Sequence, residues 1–129
     1  MFKILVAACG ILTVGATAYG HHSFAAEFDA AQPITLTGTV TKVEWTNPHA
    51  RFYIDVKDAA GKVVNWDLEL GGSTQLVRRG WSRNTLKPGD VVTVSGFRAR
   101  KEPNVGNARE VSLADGRRVL TGSSADAQQ

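Results

Sequence analysis

The chain has 129 residues, with 15 Lys and Arg against 12 Asp and Glu, for a mild formal charge of +3. That length allows one domain with one core, and the single cysteine, Cys9, rules out an internal disulfide. There is no G-x-S-x-G nucleophile motif, no phosphate-cradling glycine loop and no dinucleotide fingerprint, so no catalytic residue is named.

Met1-Phe2-Lys3 places one positive charge ahead of an apolar run from Ile4 to Ala18. Ala18-Tyr19-Gly20 then supplies small side chains at positions −3 and −1 of a cleavage site. This order predicts a secretory signal over residues 1–20, removed to leave His21 as the new N-terminus. The run of roughly 15 apolar residues is short of the ~20 that span a bilayer, so no stable membrane insertion is expected. Val6-Ala7-Ala8-Cys9 loosely matches a lipoprotein box, but too few apolar residues precede Cys9, which leaves with the signal. The mature domain is expected in the periplasm or outside the cell, with no thiolate site. Nucleic acid is a poor partner there. Several basic residues (Arg78, Arg79, Arg83, Arg98, Arg100, Arg109, Arg117, Arg118) gather in the second half, as a basic face or simply a solvated surface.

Residues 21–33 read as an extended arm, with Phe24 and Phe28 as apolar anchors at i, i+4. From Ile34, the residues Leu36, Gly38 and Val40 alternate with threonines, and the apolar phase then slips to Val43 and Trp45. A slip of one residue predicts a β-bulge, with Gly38 easing the bend. Asn47-Pro48 breaks the strand. Arg51 to Lys57 and Val64 to Leu70 each alternate with a period of two, joined by a turn at Asp58-Ala59-Ala60-Gly61. A short helix follows, with Ser73 as its N-cap and Gly80 as its stop. Val91 to Phe97 is the fourth strand, Arg100 to Gly106 a polar loop, and Ala108 to Leu113 the fifth strand. Asp115-Gly116 turns into a short return strand ending at Leu120, and 122–129 is a small, polar, disordered tail. The expected fold is all-β with a small helix insert: an OB-fold-like five- to six-stranded β-barrel over residues 21–121, with one short helix between strands three and four. A β-sandwich is the alternative.

Several segments resemble a family of exported bacterial proteins defined by a domain of unknown function. These are His21-His22-Ser23-Phe24-Ala25-Ala26-Glu27-Phe28-Asp29, Leu36-Thr37-Gly38-Thr39-Val40, Trp45-Thr46-Asn47-Pro48-His49 and Asn65-Trp66-Asp67-Leu68-Glu69-Leu70. The resemblance implies export and an OB-like barrel, and no activity.

Only three histidines occur: His21, His22 and His49. An N-terminal His21 would chelate a divalent ion through its α-amine, whose pKa is near ~7.7, and its own imidazole. His49 would complete a T-shaped nitrogen set suited to Cu(II), with His22 as auxiliary. The plainer alternative is a flexible end that tolerates two histidines. A second candidate site is the polar face of strands two and three, with Asn65, Asp67 and Glu69 opposite a core Trp66, and with Trp45 and Asn47 at its edge. The alternation alone would make that face merely solvated. Trp66 and Trp81 are read as core. The first expectation is an exported, non-enzymatic copper-binding module. The alternative is a small-ligand module, or one that binds another envelope protein.

Overall fold

The computed structural model describes residues 24–121. The expected signal (1–20), the His21-His22 pair and the tail 122–129 lie outside the described residues. Among those described, the elements are α1 (Phe24–Glu27), β1 (Phe28–Glu44), β2 (Arg51–Lys57), β3 (Val63–Glu69), α2 (Ser73–Arg78), β4 (Val91–Ala99), β5 (Val105–Leu113) and β6 (Arg118–Leu120). None of the described helices is long and apolar enough to cross a membrane.

β1 serves two partners. Phe28 to Thr39 pairs antiparallel with β4, and Thr39 to Glu44 pairs antiparallel with β2. The ladder with β2 shifts between Val40 and Lys42, so Thr41 is the extra residue of a bulge. This is the slip that the apolar pattern predicts. At Gly38, a Cβ would fall on the backbone carbonyl oxygen of Asp55, so only glycine lets the strands approach this closely.

β2 and β3 form a hairpin in unbroken register. Its turn is held by the Asp58 carboxylate, which accepts the N–H groups of Ala60 and Lys62, both at 2.9 Å. β3 then pairs parallel with β5, β5 antiparallel with β4, and β4 with β1. The result is a closed circuit β1-β2-β3-β5-β4 with β6 on the edge of β5. This is the expected OB-fold-like architecture, with α2 between β3 and β4; one continuous ring takes the place of the two facing sheets of a sandwich. The core inside holds Val40, Phe52, Ile54, Trp66, Leu68, Val92, Val94 and Val111, and Leu76 of α2, Trp81 and Leu86 join it. Trp66 and Trp81 are therefore core residues, as expected.

Three local expectations are corrected. The first strand begins at Phe28 rather than Ile34, because the arm is bound to the ring. Phe24 stacks on Phe28 and meets Phe97 edge-on, both with ring centroids 5.6 Å apart. With Ala99 and Val105 they form a second apolar cluster. Burying each Phe contributes about 1.5–3 kcal/mol. The alternation is hidden in Ala30-Ala31-Gln32-Pro33, where the ladder with β4 slips. There, the Asp29 carboxylate accepts the Gln32 amide and the Ala31 N–H, both at 2.9 Å. Those bonds hold the Asp29 carboxyl below its ordinary range.

The fifth strand begins at Val105 rather than Ala108, because Val105 to Asn107 is what pairs with β3. The N-cap of α2 is Gly72 rather than Ser73, and it offers no side chain. The helix start is instead met from the loop before β2. Thr46 O accepts the Ser73 N–H at 3.1 Å, and Asn47 Oδ1 accepts the Thr74 N–H at 3.3 Å. A Cβ on Gly72 would sit 2.6 Å from both Asn47 Oδ1 and Pro48 O.

Gly38→Ala is expected to lower unfolding stability by about 1–3 kcal/mol, because the added methyl must push β1 away from Asp55. Urea denaturation followed by far-UV circular dichroism checks this: the midpoint should fall with the slope unchanged.

Candidate functional site

Phe52, Ile54, Trp66 and Leu68 point into the ring, so Arg51, Tyr53, Asp55, Asn65, Asp67 and Glu69 project from its outer face. Arg51 joins two carboxylates there: its Nη1 donates to Asp67 Oδ1 at 2.8 Å and its Nη2 to Glu69 Oε2 at 3.2 Å. Burial opposes the guanidinium charge, but Asp67, Glu69 and Tyr53 outweigh it and raise the Arg51 pKa above its ordinary value. The Tyr53 hydroxyl is also raised, by burial first and then by the negative charges of Asp67 and Glu44.

Glu69 belongs to the face read as a candidate ligand surface, and its side chain is only 3% exposed. The reason is lateral: β5 covers the free edge of β3 and sets Asn107 directly beside Glu69 in the ladder. Asn107 is fully buried, and neither its Nδ2 nor its Oδ1 has a hydrogen-bond partner. On the other side stands His49, from the loop entering β2, with Nδ1 3.6 Å from Glu69 Oε1. That is too long for a hydrogen bond but close enough for a charge to act. His49 Nδ1 is likewise buried and without a hydrogen-bond partner.

The structure thus brings Asp67, Glu69 and His49 together and separates the other expected residues. Asn65 donates to Asp55 Oδ1 at 2.9 Å and to the bulge residue Thr41 at 3.2 Å, so it ties the hairpin to the bend in β1. Asn47 caps α2, and its amide also donates to Thr74 Oγ1 at 3.3 Å. Trp45 is half-buried against the inner core. His21 and His22 lie outside the described residues. Among the described residues, no group of three or more His, Cys, Asp or Glu could hold a metal ion.

Two members of the cluster escaped the sequence reading, Arg51 and Asn107. Arg51 carried a weak signal: it is a base on a face with Asp67 and Glu69 on the neighbouring strand. Asn107 carried none, since it sits where loop and strand readings meet. Five of the arginines of the second half have local partners. Arg98 lies over Trp66 and Arg109 over Phe97, Arg100 reaches Asp29 and the Ala25 carbonyl, Arg117 pairs with Asp115, and Arg118 pairs with Glu110.

Arg51→Met should leave the Glu69 carboxylate buried without its guanidinium and cost about 1–3 kcal/mol. Adding Glu69→Gln should recover part of that loss, which a double-mutant cycle in urea would read as coupling between the two sites.

DUF6152, described as a family of unknown function, matches residues 8–108 of the chain. No curated protein sequence matches significantly. Among solved structures, the chain is similar to a crystal structure of the mitochondrial single-stranded DNA binding protein Rim1 from S. cerevisiae. The likeness covers 67% of this chain and 97% of that one, at 9% identity and a TM-score of 0.49.

Proposed function

The chain belongs to that family of unknown function, and we propose that it is an exported, non-enzymatic module that binds copper through a free N-terminal histidine. The ligands are the α-amine and imidazole of His21 and the imidazole of His49, with His22 as auxiliary. One observation carries this reading: the arm leading to His21 is anchored on the outer face that bears His49. Phe24 packs on Phe97, Phe97 lies opposite Asn107 in the ladder, and Asn107 lies opposite Glu69, which faces His49. Two strand spacings of ~4.8 Å separate Phe97 from Glu69. Three residues separate Phe24 from His21, and three residues reach ~10 Å. Phe24 and His49 thus flank the same face of the ring, and the short arm before Phe24 is what would carry His21 toward His49.

The chemistry supports the same reading. A carboxylate facing Nδ1 favours the tautomer with its proton there, which leaves the Nε2 lone pair for a metal. Because Nδ1 is buried, any outward bond of His49 uses Nε2. Amine and imidazole nitrogens in a flat set suit Cu(II). The alternative ligand face, on strands two and three, is less favoured because its polar groups already bond one another.

The test compares the chain beginning at His21 with one extended by Ala18-Tyr19-Gly20 and with His49→Ala, all titrated with Cu(II) alone. The native-start chain should bind one ion at least tenfold more tightly than either, with a nitrogen-rich paramagnetic resonance spectrum. Equal affinities across the three, with unchanged circular dichroism, would overturn the proposal.

A further inference from the structure

The ring has a gap in its wall. β1 pairs with β2 only from Thr39 onward, so Thr35 to Thr37 passes the tip of the β2–β3 hairpin without pairing to it. A cleft of about 540 Å³ opens between them. Leu36, Val56 and Val64 line it with apolar surface, together with Trp66, which is 6% exposed. Arg98, on β4, sets its guanidinium carbon 5.0 Å from the centre of the Trp66 ring. Lys57 stands at the rim.

The carboxylates that could neutralise Arg98 are engaged elsewhere. Asp29 lies opposite it in the ladder, but its oxygens accept the Ala31 N–H and the Gln32 amide, and its ion partner is Arg100 at 3.6 Å. Asp58, also at the rim, is held by the hairpin turn through Ala60 and Lys62. Among the described residues, neither Arg98 nor Lys57 has a carboxylate partner. A guanidinium over an indole keeps its N–H fork available, and the fork matches a carboxylate in bidentate fashion. Thr35, Thr37 and Asn104 add polar groups to the wall, and a cleft of this size that joins apolar surface to convergent polar groups is a form that small-molecule sites take.

From these residues we infer that the cleft is a binding site for a small aromatic carboxylate. The ring of the ligand lies against Leu36, Val56, Val64 and Trp66. Its carboxylate takes the Arg98 fork, and Lys57 adds a second positive charge at the mouth. The site shares no residue with the His49 cluster and does not depend on the copper proposal.

The probe is 2-naphthoate, titrated into the mature chain by calorimetry and by tryptophan fluorescence. It should bind in the micromolar to low millimolar range, with 2-naphthamide at least tenfold weaker, because the amide lacks the charge that the Arg98 fork recognises. Arg98→Met should weaken 2-naphthoate at least tenfold and leave 2-naphthamide little changed. Lys57→Ala, an exposed change that leaves the fold intact, should weaken 2-naphthoate two- to fivefold. His49→Ala should change nothing. Absence of 2-naphthoate binding up to 10 mM would overturn the assignment of the cleft. Equal binding of the acid and the amide, or of Lys57→Ala and the parent, would overturn its anionic specificity.

Discussion

The close approach of β1 to β2 at Gly38 is the constraint from which the rest of the molecule follows. A single strand of 17 residues must pair with β4 along its first part and with β2 along its last. It can turn from one to the other only where no side chain holds the backbones apart. Gly38 provides that point, and Thr41 then absorbs the extra residue. The Thr41 hydroxyl donates to the Tyr53 carbonyl at 3.3 Å and accepts from Asn65, so the bulge is bonded to both strands of the hairpin. Because β1 leaves β2 here, the ring closes on one side and opens as a cleft on the other. Closure and opening have the same cause.

The outer face carries more than solvated polar groups. A short helix and the start of β1 lay Phe24 and Phe28 over Phe97, Ala99 and Val105, giving the ring a small second core on its outside. Beside that core, Glu69 and Asn107 are buried at positions where strand alternation would place solvent-facing residues. A buried carboxylate is tolerable there because Arg51 bonds it, and the two carboxylates in turn offset the partial burial of the guanidinium. The unbonded groups of Asn107 and His49 are different, since an unsatisfied buried polar group costs about 1–3 kcal/mol. Folding alone gives no reason to retain them, and this sets the cluster apart from the rest of the sheet.

The two candidate sites illustrate how one ring can offer unlike chemistries. Outside, the cluster sets a histidine and an amide without hydrogen-bond partners beside two carboxylates that Arg51 bonds. Inside the gap, Arg98 and Trp66 combine positive charge with apolar surface. The alternation of β3 separates them: Trp66 points inward, whereas Asp67 and Glu69 on either side of Leu68 point out. A one-residue slip of β3 would exchange the two sets, so both sites depend on the unbroken register of the β2–β3 hairpin.

Much of the fold was legible in local patterns. The period-two runs of β2 and β3, the Asp58 to Gly61 turn, the phase slip that marks the bulge and the helix after Gly71-Gly72 are each written in adjacent residues. So is the candidate ligand chemistry, since His49, Asp67 and Glu69 are conspicuous as residue types. The assembly was not legible. Nothing near Val105-Gly106-Asn107 signals a parallel pairing with β3, because that hydrogen-bonding edge is offered by residues nearly forty positions earlier. For the same reason, alternation placed Glu69 in water when β5 covers it. It also assigned Asn47 to a ligand site when the residue caps a helix across the loop, and it missed Arg51 as the partner of two acids. By itself the sequence determined the β2–β3 hairpin, the bend in β1 and the inward or outward sense of the β2 and β3 side chains, because these rest on contacts within a few residues. Only the tertiary structure decided which outward side chains are buried, which charges meet and where the wall opens, because those depend on which distant edges come together.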